Sequence, residues 1–207
     1  MKKIINKPEN VIVEMIQGIA FANPQLSCFP EKRVIARKEK QQKVGLVTAG
    51  GSGHEPSFGG YVGKGMLDAA VAGNVFASPS PDQMLKGIEE ANTGHGVLFI
   101  LMNYTGDKMN YSMAKEFAEM EGIDVDLVVV KDDVATEDSE FTAGRRGIAG
   151  TVLVHKVAGA KAESGASLAE VKALAEKAIS RVRTIGISLS ACTLPGLDKP
   201  GFTVAED

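Results

Sequence analysis

Hydrophobic positions along this chain switch repeatedly between a helical and a strand-like period. Val11, Met15, Ile16 and Ile19 share one helical face, opened by Asn6, Pro8 and Glu9 and stopped by Asn23-Pro24. Arg33 to Arg37 predicts a short extended piece, and Val44 to Val47 a buried strand. Gly60, Gly63, Gly65 and Gly73 leave residues 61 to 72 without a clear period, and Val71 to Ala77 predicts a short strand. Ser80-Pro81-Asp82-Gln83 is a capped helix start, and that helix runs to about Ala91. Gly96 to Met102 is the clearest buried strand. The helix after Asn103-Tyr104-Thr105-Gly106-Asp107 is expected to turn Met109, Met113, Ala114 and Phe117 inward. Val125 to Val130 predicts another strand, followed by a polar connection over 131 to 147. Helices follow at 148 to 164 and 168 to 182, the second opened by Ser167 and Glu170 as a capping box. Thr184 to Ala191 predicts a last full strand.

This order predicts an α/β fold, a layered, mixed and largely parallel sheet flanked by helices. Residues 1–183 form the expected first subdomain. Lys199-Pro200-Gly201-Phe202-Thr203-Val204 reads as a turn entering a new strand, so 184–207 is expected to begin a second, truncated α/β subdomain. Polar sites in such sheets gather at the carboxyl ends of the strands, which points to the loops 48 to 56, 103 to 107 and 131 to 147. No internal repeat or low-complexity linker interrupts the chain.

Composition narrows the function more than the fold. A net charge of −3 with 5% aromatic residues gives no basic, stacking surface for nucleic acid. No apolar run reaches the roughly 18 residues of a membrane span, and Met-Lys-Lys-Ile-Ile-Asn lacks a signal-peptide core. Cys28 and Cys192 stand in no CxxC spacing, as expected of reduced thiols in a cytosol.

The candidate chemistry centres on Val47-Thr-Ala-Gly-Gly-Ser-Gly-His-Glu-Pro56, an apolar run ending in Gly50, Gly51 and Gly53 just before His54. Glycine admits positive φ and close approach of backbone N–H groups to a ligand, and histidine moves protons near neutral pH. Familiar motifs fail here at named positions. Pro56 replaces the third glycine of a dinucleotide fingerprint, and Phe58 the second histidine of a zinc helix. His54 replaces the second glycine of a GxSxG elbow centred on Ser52. Around Lys64, Phe58 and Gly65 break a phosphate-binding loop. His54 reads either as a turn histidine or as a site residue; Asp107 reads either as the N-cap of a helix from 108 or as a carboxylate facing a cleft. His95 reads as a surface turn and His155 as structural. Arg145-Arg146 reads as solvated charge before an anion contact, and Met84, Met109, Met113 and Met120 as core fillers.

Taken together, Gly50-Gly-Ser-Gly-His-Glu-Pro56, Gly63-Lys-Gly-Met-Leu67, Ser78-Pro-Ser-Pro-Asp82, Asn103-Tyr-Thr-Gly-Asp107, Thr142-Ala-Gly-Arg-Arg-Gly147 and Lys199-Pro-Gly-Phe202 resemble one family. It is the dihydroxyacetone-binding subunit of dihydroxyacetone (glycerone) kinases, most closely the stand-alone subunit of the phosphoenolpyruvate-dependent system. The resemblance implies a cytoplasmic homodimer that holds dihydroxyacetone and needs no cofactor of its own. A separate kinase subunit would carry ADP or ATP with Mg, recharged through a phosphocarrier subunit. It also implies substrate contacts from Gly51, Ser52, Gly53 and His54, with Asp107 on a substrate hydroxyl and His54 and Asp107 as acid–base groups. A non-catalytic relative that senses dihydroxyacetone and co-activates a transcription factor is the alternative. Two departures stand out. Met102 replaces the lysine usual before Asn-Tyr-Thr-Gly-Asp, and the Gly-Ile-His-Gly-Glu-Pro-type segment that supplies a hemiaminal-forming histidine is absent, so the site is expected to be incomplete.

Overall fold

Six strands form one mixed sheet, described here, from a computed structural model, over residues 3–136 and 144–204. The strands are β1 (Leu26–Phe29), β2 (Val34–Arg37), β3 (Gly45–Ser52), β4 (Ala69–Val75), β5 (Val97–Met102) and β6 (Val125–Val130). The helices are α1 (Val11–Ala22), α2 (Pro81–Ala91), α3 (Thr105–Met120), α4 (Thr151–Glu163) and α5 (Leu168–Arg181). Spatial order is β1-β2-β4-β3-β5-β6, with β4, β3, β5 and β6 mutually parallel and β1 and β2 antiparallel to their neighbours.

The sheet is buried on both faces, which is why β3 and β5 read as unbroken apolar runs. Leu98, Ile100 and Met102 pack with residues of α1, α4 and α5 on one face. Val97, Phe99 and Leu101 pack with α2 and α3 on the other. Phe99 is fully buried and its ring lies 5.0 Å from that of Tyr111, a burial that contributes about 3 kcal/mol.

Both capping boxes form. The Ser80 N–H donates to Gln83 Oε1 at 3.0 Å, and the Ser167 N–H to Glu170 Oε2 at 2.9 Å. Three expectations need correction. α3 buries Asp107, Tyr111, Ala114 and Ala118, whereas Met109, Met113, Phe117 and Met120 form an exposed stripe. Small alanines set its phase because they let the helix approach the sheet closely, so of the four methionines only Met84 fills the core. Thr184 makes a single bridge to Asp133, and 185–204 carries no helix or strand. Ile185, Ile187 and Leu189 stay exposed there, so nothing on the described surface pairs a strand at 184 to 191. The pair β1–β2 extends the sheet where only 33 to 37 was expected.

The parallel strands diverge where the site lies. β3 and β5 stay paired from Gly45↔Val97 to Val47↔Phe99 and no further, while β3 remains on β4 as far as Ser52↔Val75. The Thr48 hydroxyl donates to the Ile100 carbonyl at 2.6 Å at the start of that split. β3 is also the switch point: the chain leaves it for β4 on one side and, through α2, returns to β5 on the other. A crevice at the carboxyl ends of β3, β4 and β5 follows from this topology.

Candidate functional site

A cavity of about 220 Å³ occupies that crevice. It is smaller than the roughly 300–1,000 Å³ of a drug-sized pocket, which suits a small metabolite. β3 and its loop contribute Gly50, Gly51, His54 and Phe58; the segment after β4 contributes Phe76, Ala77 and Ser78; β5 and the start of α3 contribute Met102, Tyr104 and Asp107.

The glycines are demanded first by packing. A Cβ at Gly50 would lie 2.9 Å from the Phe58 ring, and one at Gly51 2.7 Å from the Ala77 amide nitrogen. Gly53 alone among them takes a positive φ, +114°, and its N–H donates to the Glu55 carboxylate at 3.1 Å. The Ser52 hydroxyl donates to the Gly73 carbonyl at 2.9 Å. Of the sequence candidates, Gly51, His54, Met102 and Asp107 therefore meet at the cavity, while Ser52 and Gly53 lie outside its lining and spend these donors within the fold.

His54 is exposed at the rim, with Nδ1 3.1 Å from the Ser57 carbonyl. A carbonyl only accepts, so this contact places the proton of the neutral ring on Nδ1 and leaves a lone pair on Nε2. The imidazole packs edge-on to Phe58 at 5.3 Å, and Phe58 in turn to His155 at 5.8 Å. His155 is fully buried, and burial pushes its pKa down to about 3, so it stands neutral beneath Phe58. His95 lies exposed in a turn.

Asp107 sits in the first turn of α3, which starts at Thr105, so it is not the N-cap of a helix from 108. It is 6% exposed, and its Oδ1 is buried without a hydrogen-bond partner. Burial raises its pKa, opposed by a hydrogen bond with the Ser78 side chain and by the nearby His54. A buried carboxylate with a spare acceptor beside an imidazole can hold a ligand hydroxyl and share its proton.

Ser78, Phe58, Phe76 and Tyr104 also belong to the lining, and none of them was named as a site residue from sequence. The signal for Ser78 was its place directly after a predicted strand, in a segment read as a helix start and as one of the strings of the family resemblance. Arg145 and Arg146 are held locally: Arg146 Nη2 lies 2.7 Å from Asp133, and Arg145 Nε donates to the Thr136 carbonyl at 3.2 Å. Much of the connection 131 to 147, including Thr142 and Ala143, lies outside the described residues. Among the described residues no group of three or more His, Cys, Asp or Glu could hold a metal ion, and no helix is long and apolar enough to cross a membrane.

Comparison with known proteins places these features in a family. The chain is 54% identical over its whole length to the PTS-dependent dihydroxyacetone kinase 1, dihydroxyacetone-binding subunit DhaK, of Listeria innocua, and spans 64% of that relative. Its structure matches the dihydroxyacetone kinase of C. freundii in its native form with a TM-score of 0.89 at 40% identity, over 96% of this chain and 37% of that one. It also matches the dihydroxyacetone kinase operon co-activator Dha-DhaQ with a TM-score of 0.86 at 39% identity, over 94% of this chain and 60% of that one. Residues 17–207 match the Dak1 domain, and with a mixed sheet, a crevice at its switch point and these relatives in agreement, the chain belongs to the Dak1 domain family.

Proposed function

We propose that this chain is the dihydroxyacetone-binding part of a dihydroxyacetone kinase that yields dihydroxyacetone phosphate. The observation that carries the reading is the meeting of Gly51, His54 and Asp107 at one small cavity where β3 and β5 part. A neutral triose offers only hydroxyls and a carbonyl. The carbonyl faces the backbone at Gly51, and one terminal hydroxyl lies between His54 Nε2 and the free Oδ1 of Asp107. As the hydroxyl oxygen forms its bond to the donor's terminal phosphorus, the bond from that phosphorus to the donor's leaving oxygen breaks, the shortened nucleotide stays with the partner subunit, and the hydroxyl proton passes to His54 Nε2.

The phosphoryl donor belongs to a partner kinase subunit carrying ADP or ATP with Mg. In the phosphoenolpyruvate-dependent system a phosphocarrier subunit recharges it. Identity of 54% to a PTS-dependent subunit supports this system; a cytoplasmic homodimer is the setting proposed with it. The likeness to a co-activator supports a second reading, in which the same cavity senses the triose without catalysis. Incubating the protein with the partner subunits, phosphoenolpyruvate and dihydroxyacetone separates the two. Dihydroxyacetone phosphate is the expected product; triose binding with no phosphate formed would leave only the sensor.

A further inference from the structure

The cavity lining holds two chemically unlike sets of side chains. In one, Asp107 from the first turn of α3 and Ser78 from the segment after β4 are hydrogen-bonded together, and Asp107 Oδ1 is left without a partner. With His54 Nε2 nearby, this set suits one hydroxyl. The other set is Phe58 and Met102, both buried and both part of the core cluster that holds Leu98 and Ile100. Phe58 is fixed edge-on between His54 and His155, and Met102 closes β5 opposite Val130. Phe76 and Ala77 add further apolar lining.

Phe58 offers no hydrogen bond, and the Met102 thioether offers only a weak acceptor and no donor. A second hydroxyl pressed against these two side chains gives up its water partners and gains none. A methyl group there gives up nothing and covers apolar surface. Tyr104, the remaining polar side chain of the lining, is 40% exposed, so it belongs to the open side of the cavity and not to the buried set of Phe58 and Met102.

Building on the triose reading above, we propose that the cavity prefers an α-hydroxyketone whose second arm ends in a methyl or short alkyl group, and that Met102 is the residue that sets this preference. Hydroxyacetone, which is dihydroxyacetone lacking one hydroxyl, is the direct probe. Apolar pockets distinguish partners that differ by one such group by about tenfold to a hundredfold.

The test titrates hydroxyacetone and dihydroxyacetone separately into the isotopically labelled protein, following the amide resonances of Gly51, His54 and Asp107. Hydroxyacetone is expected to bind about tenfold more tightly. In Met102→Lys, whose ammonium supplies a donor, the order is expected to reverse. Equal or tighter binding of dihydroxyacetone by the unmodified protein would overturn the preference while leaving the triose site standing. If neither ketone moves those resonances, the preference and the triose reading fall together. The ratio in the unmodified protein decides the matter even if Met102→Lys does not fold.

Discussion

Asp107 combines two demands that oppose each other. Binding a hydroxyl needs a carboxylate with a free acceptor, yet burial disfavours its charged form and raises its pKa above the usual 3.8. The folded state therefore holds the proton more tightly than the unfolded chain does. The stability contributed by this group is present at low pH and is lost as pH rises through the raised value. Asp107→Asn should remove that loss. Its melting temperature at pH 7 should rise, and the gain should vanish near pH 3. Melting curves at the two pH values check this, and a lower melting temperature at pH 7 would contradict it. The same variant should lose triose binding, the usual trade between stability and a working site.

At the scale of elements, Gly51 is where the strand and the site meet. A methyl group there would press on the Ala77 amide and the Phe76 carbonyl carbon, which are backbone atoms with little room to yield. Gly51→Ala should destabilise the protein by about 1–3 kcal/mol in urea unfolding and displace Phe76, Ala77 and Ser78 from the cavity. Unchanged stability would mean that the segment after β4 gives way easily.

Which elements sequence could foretell follows from the same kind of detail. α2 and α5 were legible because their caps are chemical signals, and β5 because both its faces are buried. The phase of α3 was not, since size-weighted hydrophobicity favours Met109, Met113 and Phe117 over the alanines that set the contact. β1 was hidden because Leu26-Ser-Cys-Phe29 lacks a clean alternation, and its partner β2 is equally short. In the site, His54 and Asp107 could be picked out as loop residues of the right chemistry. The Ser52 hydroxyl went instead to a β4 carbonyl, and the bond of Ser78 to Asp107 became visible only once β4 was placed, since both depend on which strand lies beside β3.

Across the whole molecule, buried charge lies at the two ends of the sheet. Opposite the cavity, at the amino end of β4, Asp68 accepts from Arg37 at 2.9 Å, from Lys43 at 2.5 Å and from the Leu46 N–H at 2.9 Å. Arg37 also meets Glu163 at 2.7 Å, which ties α4 to the network. Lys43 is only 5% exposed, so Asp68→Ala would leave a buried ammonium unpaired. That should cost about 3–5 kcal/mol in urea unfolding, most of it recovered when Lys43→Met is added. An equal loss in single and double variants would show that Asp68 acts through its backbone contact rather than its charge. This end of the sheet is tied by charge, whereas at the other end β3 and β5 part and the cavity forms.

The claim that this cavity is a triose site with His54 in it is tested most directly by calorimetric titration of dihydroxyacetone into the unmodified protein and into His54→Ala. The account predicts binding that weakens by about tenfold or more in the variant, the loss of one hydrogen bond to a site group. Equal affinities would contradict it and remove His54 from the site.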